Sequence, residues 1–176
     1  MRNIELKARC PDLAQAEAAC RRLGAAEAWT RRQTDTYFRV PDGRLKLRQE
    51  SPGEAVLVSY HRPDVAAARA SEYDVTPVAS VEETLAALEA RHGVACRVEK
   101  TRTLYLLGHV RIHLDRVDGL GTFIEFEAVM GPPHREADAQ ALLARLVLEF
   151  GIGEDDVLSG SYSDMIAGRG TAAGIP

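Results

Sequence analysis

Residues 3–9 alternate apolar Ile4, Leu6 and Ala8 with polar Asn3, Glu5, Lys7 and Arg9, the period-two pattern of a strand with one apolar face. The period then changes. Leu13, Ala16, Cys20 and Leu23 recur at helical spacing, Asp12 and Gln15 stand as a capping pair before them, and Gly24 follows where a helix would stop, so residues 12–23 read as a helix. Strands return at 27–40, at 44–50 after Pro41-Asp42-Gly43, at 54–62 after Ser51-Pro52-Gly53, and at 69–76. Ser80 and Glu83 open a second helix with Val81, Leu85 and Leu88 inward, ending at Gly93. Strands at 94–107, 109–118 and 121–130 follow, turned at Gly108 and at Asp118-Gly119, before a helix at 135–150 carrying Leu142, Leu143, Leu146, Val147 and Phe150.

The order is strand, helix, four strands, helix, three strands, helix, and the short turns make sequential strands antiparallel neighbours. This is an α+β pattern, and about eight such strands are enough to close a barrel flanked by helices. One domain over 1–168 is expected, since 176 residues suffice to bury roughly 70% of the unfolded surface in a single core. The Gly- and Ala-rich stretch 169–176, ending at Pro176, lacks apolar periodicity and is expected to form a frayed tail.

Polar positions on the strands share a face: Glu5 and Lys7; Arg44, Lys46 and Arg48; Lys100 and Arg102; Arg111, His113 and Asp115; Glu125 and Glu127. The opposite positions, Ile4/Leu6, Leu45/Leu47, Ile112/Leu114 and Ile124/Phe126, are apolar and require cover, which the three amphipathic helices offer. Two readings of the charged face stand at this point: the solvated side of an open antiparallel sheet, or the lining of a barrel lumen. Sorting favours a site, because residues 44–48 and 100–102 bring only basic groups and 125–127 only carboxylates, whereas exposed sheets intersperse signs. Lys and Arg at alternate positions suit phosphate oxygens, and carboxylates facing them suit a hard divalent cation, Mg²⁺ or Mn²⁺.

Composition narrows the class. Net charge is −4, from 22 basic and 26 acidic residues, so no general attraction to nucleic acid or anionic membrane is expected. Cys10, Cys20 and Cys96 form no CxxC pair, which argues against a disulfide framework or structural zinc and fits a reducing cytoplasm. No stretch approaches the ~20 apolar residues of a membrane helix, and Met1-Arg2-Asn3-Ile4-Glu5 is charged at once where a signal peptide would be apolar.

These residues carry a resemblance to the CYTH family of triphosphate tunnel metalloenzymes, which includes class IV adenylyl cyclases and thiamine triphosphatases. It spans about residues 1–166. The family's ExExK motif corresponds to Asn3-Ile4-Glu5-Leu6-Lys7, with Asn3 where the first Glu stands. Further matches are Gly43-Arg44-Leu45-Lys46-Leu47-Arg48, Arg62-Pro63, Ser71 and Tyr73, Lys100-Thr101-Arg102, Asp115, and Gly119 to Glu127. Weak one by one, in this order they are fairly specific. The resemblance implies that Glu5, Glu125, Glu127 and Asp115 hold Mg²⁺ or Mn²⁺, and that Lys7, Lys46, Arg48, Lys100 and Arg102, with Arg62 and Arg111, grip the triphosphate. Glu5 and Lys7 are the catalytic candidates. Asn3 offers a carbonyl oxygen in place of a carboxylate.

The expected partner is a small-molecule triphosphate, with a homodimer allowed. The resemblance implies either cyclisation of ATP to cyclic AMP and pyrophosphate, towards which the Asn3–Arg9 run and Arg62-Pro63-Asp64 lean, or hydrolysis of tripolyphosphate, thiamine triphosphate or a nucleoside triphosphate. A non-catalytic polyphosphate or nucleotide-binding module is the reading from another class; a barrel for apolar ligands is disfavoured by the charged faces. His113 is read as a structural hydrogen-bonding residue, His61, His92, His109 and His134 as surface or packing groups, Trp29 as a packing residue, and Tyr162-Ser163-Asp164 as a docking segment.

Overall fold

The period-two strands and period-3.6 helices segregate as their patterns require. The computed structural model of the protein describes residues 1–172. Strands β1 (Arg2–Arg9), β2 (Ala26–Phe38), β3 (Arg44–Ser51), β4 (Ala55–His61), β5 (Arg69–Pro77), β6 (Val94–Leu107), β7 (Val110–Val117) and β8 (Gly121–Val129) are all antiparallel, with order β5-β4-β3-β2-β6-β7-β8-β1. Pairing of β1 with β5, from Arg2↔Glu72 to Glu5↔Arg69, closes the sheet into an eight-stranded barrel, so the expected α+β barrel is what forms. A two-residue strand β9 (Val157–Leu158) extends the β5 side of β1, pairing with Ala8 and Lys7.

Helices α1 (Leu13–Arg22) and α3 (Glu136–Glu149) cover the barrel's outer face. Asp12 Oδ1 accepts from the Gln15 backbone N–H at 2.9 Å, capping α1. Ala16 and Cys20 of α1, and Ala139, Leu143 and Leu146 of α3, bury against Ile4, Leu6, Ile112, Leu114, Ile124 and Phe126, the apolar positions alternate to the charged ones. Helix α2 (Val81–His92) corrects one expectation: Ser80 Oγ caps it through the Glu83 N–H at 3.3 Å, but it has no fully buried residue, and Val81, Leu85 and Leu88 are only half-buried. It lies beside β2 rather than over the core.

Helix α4 (Tyr162–Ala172) seals one end of the barrel. Tyr37, Val98, Val117 and Phe123 point inward at adjoining strand ends and form a second apolar cluster with Tyr162, Met165 and Ile166. The docking role expected of the Tyr162 segment is thus a plug. The stretch expected as a tail falls on the last residues of α4 and on residues 173–176, which lie outside those described. Gly43, in the β2–β3 turn, has φ +65°, and a Cβ there would meet the Tyr60 carbonyl oxygen at 2.9 Å, so glycine is required.

Candidate active site

Because strand side chains alternate, closing the sheet points every charged face inward at once. The resulting cavity of about 360 Å³ is lined by Glu5, Lys7, Lys46, Arg48, Arg62, Lys100, Arg102, Arg111, Glu125 and Glu127, together with Asn3 and His113. The charged faces therefore line a lumen and are not a solvated sheet surface.

At its base Asp35 of β2 is fully buried. It accepts from Arg48 Nε at 2.7 Å and Nη2 at 2.9 Å, Lys46 Nζ at 3.1 Å and Lys100 Nζ at 2.9 Å. Burial alone would raise its pKa; Arg48, Lys100 and Lys46 outweigh burial and hold the carboxyl well below the usual carboxylate range. The lysines respond oppositely. Burial, with the Arg48 and Arg102 charges adding to it, pushes Lys100 down to about 7 and Lys46 down to about 8, despite Asp35.

Asp115, also fully buried, takes Arg102 in a two-pronged pair at 2.6 Å to each oxygen and accepts from Tyr162 Oη at 2.7 Å. Arg102 also reaches Glu125 at 2.8 Å, and Lys7 reaches the other Glu125 oxygen at 2.9 Å. Burial opposes ionisation of Glu125, but Lys7 and Arg102 keep it well below its ordinary value.

Glu5, Glu125 and Glu127 come together, with one oxygen of each lying within 4.8 Å of the others. Asp115 does not join them; its oxygens are committed to Arg102 and Tyr162. Three carboxylates without thiolate are a donor set for a hard divalent cation such as Mg²⁺ or Mn²⁺. Asn3, two positions before Glu5 on the same face, is 3% exposed, and its Oδ1 has no hydrogen-bond partner; this neutral oxygen fits the same role. The group fits the residues present.

Glu5 is held by Arg62, and Arg69 Nε lies 3.4 Å from it. Yet Arg62 Nε and Arg69 Nε and Nη2 are buried without a hydrogen-bond acceptor. Glu127 lies 3.4 Å from His113 Nε2 and 3.7 Å from Arg111, and despite its burial the His113 side chain helps draw its pKa down to about 2. Neither His113 nitrogen makes a hydrogen bond, so the hydrogen-bonding role read for it is not seen. Its own pKa is lowered by burial and by Arg102. Arg44 shares the inward parity but turns to the barrel end, bridging Asp64 at 2.7 Å and Asp164 at 2.9 Å.

Sequence reasoning missed Asp35, Gln33 and Arg69. Gln33 and Asp35 alternate in the strand 27–40, but only the register, Asp35↔Arg48 and Gln33↔Lys100, shows that a carboxylate separates the two basic stretches. Arg69 has the parity of Ser71 and Tyr73, which was the available signal.

The CYTH domain model matches residues 1–162. The chain belongs to the CYTH domain family. No curated protein matches it. Among solved structures, a Pyrococcus horikoshii protein is 22% identical with TM-score 0.83, over 92% of this chain and 98% of that one. A Vibrio parahaemolyticus protein described as a candidate adenylate cyclase is 20% identical with TM-score 0.80, over 94% and 97%. A Hippeastrum candidate adenylyl cyclase, described as having a dominant triphosphatase activity, is 17% identical with TM-score 0.60, over 90% and 91%. At these identities the likeness establishes the CYTH fold. No helix among the described residues is long and apolar enough to cross a membrane.

Proposed function

We propose that this CYTH protein is a metal-dependent enzyme acting on a triphosphate inside its barrel, with cyclisation of ATP to cyclic AMP and pyrophosphate as the favoured reaction. The observation that carries this is the meeting, in one cavity, of three carboxylates within 4.8 Å with the buried Arg62 guanidinium, which also lines that cavity and has a donor, Nε, without an acceptor. Buried donors left unpaired are costly, and phosphate oxygens are the acceptors that match them.

Glu5, Glu125 and Glu127, with Asn3 Oδ1, would hold Mg²⁺ or Mn²⁺, which supplies charge neutralisation at phosphate oxygens. Lys7, Lys46, Arg48, Arg62, Lys100, Arg102 and Arg111 grip the chain of phosphates and neutralise the charge that develops as a P–O bond breaks, so catalysis is mainly positioning and electrostatics. Asp115 supports that grip by orienting Arg102. In cyclisation the ribose 3′-hydroxyl gives up its proton to solvent as its oxygen bonds to the α-phosphorus, the bond to the α–β bridging oxygen breaks, and pyrophosphate leaves. In hydrolysis a water oxygen bonds to the terminal phosphorus and loses its proton to solvent, the bond to the β–γ bridging oxygen breaks, and the diphosphate leaves. The dominant triphosphatase activity described for the Hippeastrum protein favours hydrolysis as the second reading.

A product-resolved assay with Mg²⁺ or Mn²⁺ tests this, offering ATP, thiamine triphosphate and tripolyphosphate. Cyclic AMP from ATP is the expected product, and phosphate release from any of the three identifies the hydrolase. Binding without turnover in all three would leave a non-catalytic module in place of the enzyme.

A further inference from the structure

The cavity wall is apolar in two places, at Val56, Val58 and Val75 on β4 and β5, and at Trp29 and Leu104 on β2 and β6, where alone it carries an indole. In strand order β2 and β6 lie across the barrel from β1 and β5, and there Trp29 and Leu104 are register partners that both line the cavity. Neither belongs to the two apolar core clusters, so the packing role read for Trp29 is not the one it performs. The Arg31 guanidinium lies 4.8 Å from the Trp29 ring centroid and is anchored to Glu50 at 2.5 Å, an arrangement that holds the indole in place at the cavity wall.

A second observation lies on the same strand. Gln33 is 1% exposed and lines the cavity; its Nε2 donates to Glu50 at 2.6 Å, while its Oε1 has no partner. An ionised phosphate chain carries only acceptors, so it leaves this oxygen unmatched. A ligand part bearing O–H or N–H groups satisfies it, and a flat ring satisfies Trp29.

We infer that the Trp29–Leu104 wall is the specificity platform for the organic end of the substrate: an aromatic heterocycle carried on a sugar, as in a nucleoside triphosphate, with Gln33 accepting from one of its donor groups. This rests on the triphosphate reading above. It distinguishes a nucleoside triphosphate from inorganic tripolyphosphate, which gains nothing from an aromatic surface.

The test is calorimetric affinity for ATP and for tripolyphosphate, with Mg²⁺, in the wild type, Trp29→Ala and Trp29→Phe. Loss of a base-stacking aromatic should weaken ATP by roughly 10-fold, within the range for such contacts. Trp29→Phe should restore most of that affinity, and tripolyphosphate should bind all three proteins alike. Trp29 is the single tryptophan, so ATP should also change the wild-type emission spectrum. Equal losses for both ligands, or no loss for either, would overturn the platform while leaving the triphosphate site standing. If the wild type binds neither ligand, the triphosphate reading fails and the platform falls with it.

Discussion

Replacing Asp35 by Asn keeps the shape of the side chain and removes the one charge that holds Lys46, Arg48 and Lys100 together. The carboxylate is fully buried and accepts four hydrogen bonds from those three cations, so the variant leaves like charges facing one another. Breaking a buried ion pair costs about 3–5 kcal/mol. The two lysines, already depressed to about 7 and about 8, relieve part of this by losing protons; Arg48 has no such escape. The lower half of the range, about 3 kcal/mol, is therefore expected, or a fall in Tm of roughly 6–12 °C for a domain of this size. Urea and thermal unfolding measure the loss. Adding tripolyphosphate should raise Tm more in Asp35→Asn than in the wild type, because the ligand supplies the missing negative charge and binds the folded state alone. A loss below about 1 kcal/mol, the level of an exposed pair, or a smaller ligand-induced rise in the variant, would refute the reasoning.

Glu127→Gln should abolish metal-dependent turnover and weaken Mn²⁺ binding by isothermal titration; intact Mn²⁺ affinity would remove it from the metal set. Asn3→Glu adds a carboxylate beside Glu5, so Mn²⁺ affinity should rise by about tenfold or more, and an unchanged affinity would show that position 3 does not face the ion. Triphosphate affinity should fall as pH rises from 7 to 9: Lys100 and Lys46 shed protons near 7 and 8 in the free protein and must regain them to bind an anion, whereas a phosphate's own ionisation, near pH 6, is complete below this window. A loss of about tenfold by pH 9 if Lys46 alone must regain its proton, rising to several hundredfold, on the order of 500, if both lysines must, is expected from calorimetry in buffers of different ionisation heats, and affinity that holds or rises would contradict the sign.

The strands and the first three helices were legible because their signals are local. Alternation in residues 3–9, capping at Asp12 and Ser80, and turns such as Pro41-Asp42-Gly43 depend only on neighbours along the chain. The plug helix α4 was not legible as a plug, since Tyr162, Met165 and Ile166 find their apolar partners on four different strands. Parity also assigned Glu5, Lys7, Lys46, Arg48, Lys100, Arg102, Glu125 and Glu127 to one face, but not the company each keeps across the lumen.

The amino-acid sequence by itself determined the order of the eight barrel strands and of the first three helices, the sorting of charge onto one face and, through its motifs, the family. Only the tertiary structure decided that Asp35 stands among the three basic groups, that Asp115 serves Arg102 and Tyr162 rather than joining Glu5, Glu125 and Glu127, and that Trp29 faces the cavity. The reason is physical: alternation is set by backbone geometry within one strand, whereas which side chains meet depends on register, stagger and closure, which are properties of the paired strands together.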